Sequence, residues 1–251
     1  MSSAADDLAL LIAGTLAGAV GSAGGITSLI SYPVLLAVGL PPLQANVTQA
    51  VAFVACLPGS ALGSRSELRG QGPWLRRWAL LAASGGVVGV VALLCTPSDV
   101  FGRVVPFLLV LASFALLVQP RVSTWQDSRP QRTNRLLLPF GLFAVSAYNG
   151  YFGAGSGVMV LALVLLTVDR GLARANALKN VILGVVDVVA AIGFTVFGPV
   201  RWASALPLAV GLFAGSRFGP SVTRRVPGNV LRVLAALAGL GLAIRLWVVP
   251  S

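Results

Sequence analysis

The chain has 251 residues, of which 57% are hydrophobic and only 10% are charged. A soluble domain has about 25% charged residues, so the composition excludes an ordinary soluble protein. The formal net charge of +11 does not indicate a nucleic-acid partner, because the basic residues lie in short segments between apolar blocks. That pattern is typical of the cytoplasmic loops of a multi-pass membrane protein.

Apolar blocks of roughly the 20 residues that a bilayer-spanning helix needs recur along the chain. They cover residues 44–63, 77–95, 104–119, 177–197 and 230–249. Two further apolar regions, 8–38 and 136–168, are interrupted by glycine-rich segments. Each of these two is too long for one comfortable crossing and short for two. The sequence therefore predicts an all-α polytopic membrane protein in which two helices are broken, either as short crossings or as re-entrant hairpins.

A helix that breaks at membrane depth exposes N–H and C=O groups that lipid cannot satisfy. Such breaks persist only where protein or a water-filled cavity surrounds them. Paired breaks in corresponding halves of a transporter commonly mark its substrate site. We therefore expect both glycine-rich segments to lie at one central site.

The two halves of the chain resemble each other. The glycines of the interrupted regions correspond at a constant offset of 132, pairing Gly18 with Gly150, Gly21 with Gly153 and Gly25 with Gly157. Further on, ANVTQA at 45–50 matches ANALKN at 175–180, which aligns Gln49 with Lys179. This order of matches predicts a duplication, with a first repeat at 1–120, a cytoplasmic linker at 121–135 and a second repeat at 136–251.

The positions of the basic residues predict how the halves are oriented. If each interrupted region returns to the side from which it enters, fifteen of the 18 basic residues face the cytoplasm. If each is a single pass, only ten do, so the positive-inside rule favours the first arrangement. The two five-segment halves are then inverted relative to each other, as in many secondary transporters. The N-terminus is predicted to lie outside.

Helix N-termini expose amide donors and suit anions. We expect helices to begin near Gly25, Gly157, Ala45 and Ala175 and to converge on a small anionic substrate. The predicted substrate-binding residues are Ser22, Gly24, Gly25, Asn46, Gln49, Asn149, Gly155, Ser156, Gly157, Asn176, Lys179 and Asn180. Close helix packing through small residues is an equally open interpretation of the glycines.

One segment, 174–194, carries the isolated ionisable groups. Asn176, Asn180 and Asp187 are spaced to share one helical face, with Lys179 at its edge. Lys179 is the only lysine, and Asp187 is the only acidic residue deep in an apolar segment. Lys179 either meets the anion or extends to the interface. Asp187 is its counter-ion, a proton carrier for coupling, or a structural hydrogen-bond partner.

Several classes of protein are disfavoured. The chain has no histidine, no Cys/His metal pattern and no GxxxxGK[ST] motif, so we expect no cofactor, no metal, no ATP site of its own and no enzymatic activity. A secondary transporter fits best. A passive anion channel, a membrane-embedded assembly subunit and a carrier of a non-sulfur organic anion remain alternatives, and the oligomeric state, a homodimer included, stays open.

The quoted segments resemble the TauE/SafE sulfite-exporter family. The resemblance is carried by AGAVGSAGGITSLISYPVLLAVGLPPLQANVTQAVAF at 17–53, AYNGYFGAGSGVMVLALVLL at 147–166 and RANALKNVILGVVDVVAAI at 174–192. It implies a transporter that exports sulfite, sulfoacetate or another organosulfonate across the bacterial cytoplasmic (inner) membrane. The family's glycine-rich breaks and Asn-bearing helix starts fall here on Gly21, Gly24, Gly25, Gly153, Gly155, Gly157, Asn46, Asn176 and Asn180.

Overall fold

The computed structural model describes residues 3–127, 136–169 and 171–223, together with 236–237, 239–244 and 246–247. Every regular element in these ranges is helical, which confirms the all-α prediction. The helices are α1 (Ala4–Gly24), α2 (Thr27–Ala37), α3 (Pro42–Phe53), α4 (Cys56–Gly63), α5 (Gly72–Leu94), α6 (Ser98–Asp127), α7 (Leu137–Tyr151), α8 (Ser156–Thr167), α9 (Leu172–Phe197) and α10 (Trp202–Thr223). The described residues between 236 and 247 are helical too.

Among the described residues, four stretches are long and apolar enough to cross a membrane. They are Ala4–Ser22, Pro42–Gly63, Gly72–Leu94 and Leu172–Phe197. By contrast, α2 has 11 residues and α8 has 12, about half the thickness of a bilayer's hydrocarbon core. Since α6 extends to Asp127, the first part of the predicted linker is helical. Residues 128–135 of that linker lie outside the described residues, as do 170, 224–235, 238, 245 and 248–251 of the predicted second repeat.

Both predicted breaks are observed. The chain leaves helical structure between α1 and α2 and again between α7 and α8. In each case the second helix turns back along the first. A methyl group on Gly21 would overlap Thr27 at the start of α2, and one on Gly141 of α7 would lie 2.9 Å from Leu163 of α8. The two glycine-rich regions are therefore helical hairpins.

The two hairpins touch each other at their breaks. Gly25 has a φ of +73°, and a Cβ built on it would lie 2.5 Å from the carbonyl carbon of Gly157. A Cβ on Gly157 would lie 2.5 Å from the Cα of Gly25. Because both contacts are to backbone atoms, neither position has space for a side chain. These two glycines are equivalent in the predicted repeat.

The α3–α4 segment packs antiparallel to α9. Near the start of α3, the side chain of Val47 lies 2.9 Å from where a Cβ of Gly198 would be, just after α9 ends. In α4, Leu57 lies against Gly184, in the middle of α9. Residue numbers thus fall along α9 as they rise along α3–α4. The hydroxyl of Thr48 accepts a hydrogen bond from the backbone N–H of Arg201, 3.1 Å away, in agreement with this direction.

Helices of the two predicted halves also pack against each other. In the first half, α1 packs against α10 of the second, and in the second half α7 packs against α5 of the first. Both crossings are close, because methyl groups on Gly14 and Gly85 would lie 2.5 Å and 2.6 Å from carbonyl oxygens of the facing helix. Small residues that let backbones approach are typical of helix contacts in membranes. The glycines of these helices therefore have the packing role that the sequence left open.

Candidate functional site

A cavity of about 60 Å³ lies where the two hairpins meet. One water needs about 10–15 Å³, so the cavity has room for about four to six water-sized groups. Its walls come from both breaks, from α4 and from α9. The sequence-predicted residues that line it are Ser22, Gly25, Asn149, Ser156, Gly157, Lys179, Asn180 and Asp187.

Two short helices begin at this cavity. Thr27 and Ser28 of α2 and Ser156 and Gly157 of α8 are among the lining residues. Neither helix start has a side-chain cap. The first amides of a helix have no intrahelical partner and carry a partial positive charge. The cavity is therefore bordered by two helix ends that favour a negative charge.

The two other predicted helix starts are elsewhere. α3 begins at Pro42 and α9 at Leu172, so the prediction of starts near Ala45 and Ala175 is wrong by about one turn. Pro42 lies at the first helical position, where its missing N–H costs no hydrogen bond. Two helix starts therefore border the cavity, where the sequence predicted four.

The structure does not bring Asn46 and Gln49 to the cavity. The Asn46 amide donates to the backbone oxygen of Tyr151 at the end of α7, at 2.9 Å. The Gln49 side-chain oxygen accepts from the Ser31 hydroxyl at 3.0 Å, and its amide approaches the Asn46 oxygen at 3.5 Å. Both side chains are buried. Asn46 thus holds α3 against the end of α7 and Gln49 holds it against α2, and neither side chain lines the cavity.

Gly24, Gly155 and Asn176 are also absent from the lining. Gly24 is the last residue of α1, and Gly155 precedes α8 with a φ of +75° and packs against Ala112. The Asn176 amide donates to the carbonyl oxygen of Ser22 at 2.9 Å. These residues lie in or contact the two breaks without lining the cavity.

One carbonyl oxygen collects three donors at the end of α1. In addition to Asn176, the carbonyl oxygen of Ser22 accepts from the Asn180 amide at 3.1 Å and lies 3.4 Å from the Lys179 ammonium. A carbonyl oxygen has two lone pairs, so the donors exceed what it can accept. Lys179 is only 1% exposed and makes no ion pair with any acidic group in the described part of the chain. Its charge is therefore available to an anion in the cavity.

The carboxylate of Asp187 stands at another part of the same cavity. Its Oδ1 accepts a hydrogen bond from the Asn149 amide at 3.0 Å. The Asn149 side-chain oxygen in turn accepts from the Ser156 hydroxyl at the start of α8. Asp187 is thus linked by hydrogen bonds to the second break, whereas Lys179 contacts the first. Of the groups that line the cavity, the buried ammonium therefore contacts the first hairpin and the carboxylate is hydrogen-bonded to the second.

Sequence reasoning missed the contribution of α4. Cys56, Leu57 and Ser60 of this short helix line the cavity, as do Phe53, Leu183, Gly184, Gly21, Thr27, Ser28 and Gly153. The chain leaves α3 at Val54–Ala55 before α4 begins, inside the apolar block that was read as one span. The Pro58-Gly59 pair within that block was the available signal, since both residues are poor helix formers.

Comparisons with known proteins agree with this architecture. The family model described as Sulfite exporter TauE/SafE matches residues 8–246. A probable membrane transporter protein, ORF9, of a Sinorhizobium species is 28% identical over 96% of this chain and 92% of its own length. The probable membrane transporter YfcA of Escherichia coli K12 is 25% identical, over 94% and 88%. One from Haemophilus influenzae is 26% identical, over 92% and 91%. No solved structure matches the chain.

Proposed function

The chain belongs to the TauE/SafE sulfite exporter family, and we propose that it exports a small sulfur-containing anion, sulfite or an organosulfonate, by alternating access. Membership in this family makes it a membrane transporter. The observation that carries the proposal is Lys179, a buried cation without an ion pair in a cavity bordered by two uncapped helix starts. An oxyanion there would accept from the ammonium, from Asn180 and from those first amides that do not already donate within the break, as the Ser156 amide does to Gly153.

We infer that the two halves form an inverted repeat, a plan that supports a carrier mechanism. The corresponding segments α3–α4 and α9 run antiparallel, and equivalent glycines of the two breaks meet. Corresponding elements that are antiparallel and touch at equivalent residues are expected of two halves related by a twofold axis in the membrane plane. Transporters with this plan alternate by moving one repeat against the other around a central site.

The orientation predicted from the basic residues puts the loop after α4 in the cytoplasm of a bacterial cell and the N-terminus outside. The cavity is lined by α4, on the cytoplasmic side of α3. Toward the start of α3, an aromatic cluster of Tyr32, Phe101, Tyr151 and Phe152 fills the interior, with ring centroids 5.5–6.1 Å apart. We infer that this cluster blocks access from outside in a conformation that faces the cytoplasm.

The test is binding of an anion panel to the detergent-purified protein, measured as a shift in thermal stability. A ligand at a hundred times its Kd stabilises the folded state by about 2.7 kcal/mol. We expect sulfite or a sulfonate to stabilise the protein and a carboxylate such as acetate to do so less. Stabilisation by the carboxylate alone would overturn the sulfur-anion assignment. In proteoliposomes a carrier must give saturable, gradient-driven accumulation, whereas equilibration without accumulation would indicate a channel.

Asp187 is proposed to carry the coupling proton. Its carboxylate shares the cavity with the anion, so protonation would relieve their repulsion and link the two movements. We expect a pH gradient to drive transport by the wild type and to have no effect on Asp187→Asn, which keeps a polar group beside Asn149. Asp169→Asn is the control, since that carboxylate pairs with Arg174 at the protein surface. Equal responses of Asp187→Asn and the wild type to the gradient would refute this role.

A further inference from the structure

Leu57 occupies a gap in the wall of the cavity. It belongs to α4, which begins at Cys56 after the turn that ends α3, and it lines the cavity. Its side chain lies on Gly184 of α9. A Cβ at Gly184 would be 2.5 Å from the Cδ1 of Leu57 and 3.0 Å from both its Cβ and its Cγ. Leu57 therefore fills the volume that any other residue at position 184 would need.

Gly184 lies on α9 between two polar residues of the cavity. Asn180, Gly184 and Asp187 are spaced by four and three residues, so they follow one face of the helix. All three line the cavity. Leu57 thus covers the part of this face between the amide donor of Asn180 and the carboxylate of Asp187. An anion bound near Lys179 and Asn180 meets an apolar side chain before it reaches Asp187.

We propose that Leu57, held on Gly184, sets the upper size limit of the transported anion. The cavity admits a compact head of one central atom with its oxygens, and the isobutyl group of Leu57 excludes the organic tail of a longer sulfonate. The small volume is consistent with this role, since the oxyanion head itself fills most of a space for about four to six water-sized groups. The inference rests on the proposed function and narrows its substrate class to compact oxyanions.

A series of alkanesulfonates tests the size limit, because methane-, ethane- and propanesulfonate share one head and one charge and differ only in tail length. Binding to the purified full chain is read from thermal stability. For the wild type we expect sulfite and methanesulfonate to bind and propanesulfonate to bind at least roughly tenfold more weakly. In Leu57→Ala we expect the affinity for propanesulfonate to rise at least roughly tenfold, while the affinity for methanesulfonate changes little. Leu62→Ala is the matched control, on the same helix but outside the cavity and 37% exposed.

A second variant separates the size limit from a general loss of structure. Gly184→Ala must displace Leu57, and we expect it to weaken methanesulfonate binding at least roughly tenfold. The double variant Leu57→Ala/Gly184→Ala removes the obstructing side chain and should restore methanesulfonate binding. Such reversal is the non-additivity expected of two residues in direct contact.

The outcomes distinguish the two proposals. If the wild type binds sulfite and methanesulfonate but Leu57→Ala keeps the same tail preference, the size limit is wrong and the proposed function stands. The size limit is also wrong if the wild type binds all three sulfonates equally, or if the double variant stays as weak as Gly184→Ala. If no sulfur anion binds the wild type, the proposed function and the size limit fall together.

Discussion

Gly25→Ala is expected to lower the free energy of unfolding by about 2–5 kcal/mol. The left-handed backbone conformation contributes about 1–2 kcal/mol for a residue with a Cβ. The contact with the second hairpin adds about 1–3 kcal/mol, the usual cost of overpacking. The obstructing atoms are the carbonyl carbon and Cα of Gly157 and the amide nitrogen of Val158, so no flexible side chain can move aside.

Two matched variants separate these contributions. Gly39 has a φ of +86° and open space where its Cβ would be, so Gly39→Ala measures the backbone conformation alone. Gly157 has an ordinary helical conformation, and its only conflict with a Cβ is the contact with Gly25. Gly157→Ala therefore measures the cost of that contact alone. Unfolding of the purified proteins in denaturant, followed by tryptophan fluorescence, gives the three values. Equal losses in Gly25→Ala and Gly39→Ala would contradict the meeting of the hairpins as described.

The breaks were predictable from sequence because glycine clusters are costly inside a helix and conspicuous in an apolar segment. The contact between Gly25 and Gly157 is compatible with the predicted repeat, since equivalent residues near a twofold axis lie close to each other. Two residues of the predicted polar face of α9 line the cavity for a similar reason, whereas Asn176 of that face does not. Asn180 and Asp187 follow helical periodicity within a single segment, and periodicity is a local property of the chain.

The errors concern contacts between distant segments. Asn46 was assigned to the substrate because it was expected at a helix start that faces the anion. Its partner is the carbonyl oxygen of Tyr151, 105 residues further along the chain. No local pattern specifies such a pair. The start of α3 was predictable, however, because Pro41-Pro42 is a helix-start signal that outweighs Asn46. The lining by α4 was missed because the apolar block was read as one span, although its Pro58-Gly59 pair was a signal of an interruption.

Lys179→Met is expected to weaken anion binding about ten- to a hundredfold, since a hydrogen bond to a charged group contributes about 1.5–3 kcal/mol. The same change should leave the ligand-free protein as stable as the wild type, or more so. Burial of a charge without an ion pair costs desolvation free energy, and an apolar side chain of similar length avoids that cost. The carbonyl oxygen of Ser22 would not be left without a partner, because Asn176 and Asn180 still donate to it.

The direction of the stability change distinguishes a ligand-binding Lys179 from a structural one. If its ammonium served only to cap the end of α1, its removal should lower the free energy of unfolding by about 1.5–3 kcal/mol, the contribution of a hydrogen bond that involves a charged group. Arg174→Met is the control on the same helix, where loss of a surface ion pair with Asp169 should change stability by about 0–1 kcal/mol and anion binding not at all. Undiminished anion binding in Lys179→Met, or a large loss of its stability, would remove the cation from the proposed site. If Lys179→Met keeps its stability and loses only anion binding, the role of the buried charge is to bind the ligand.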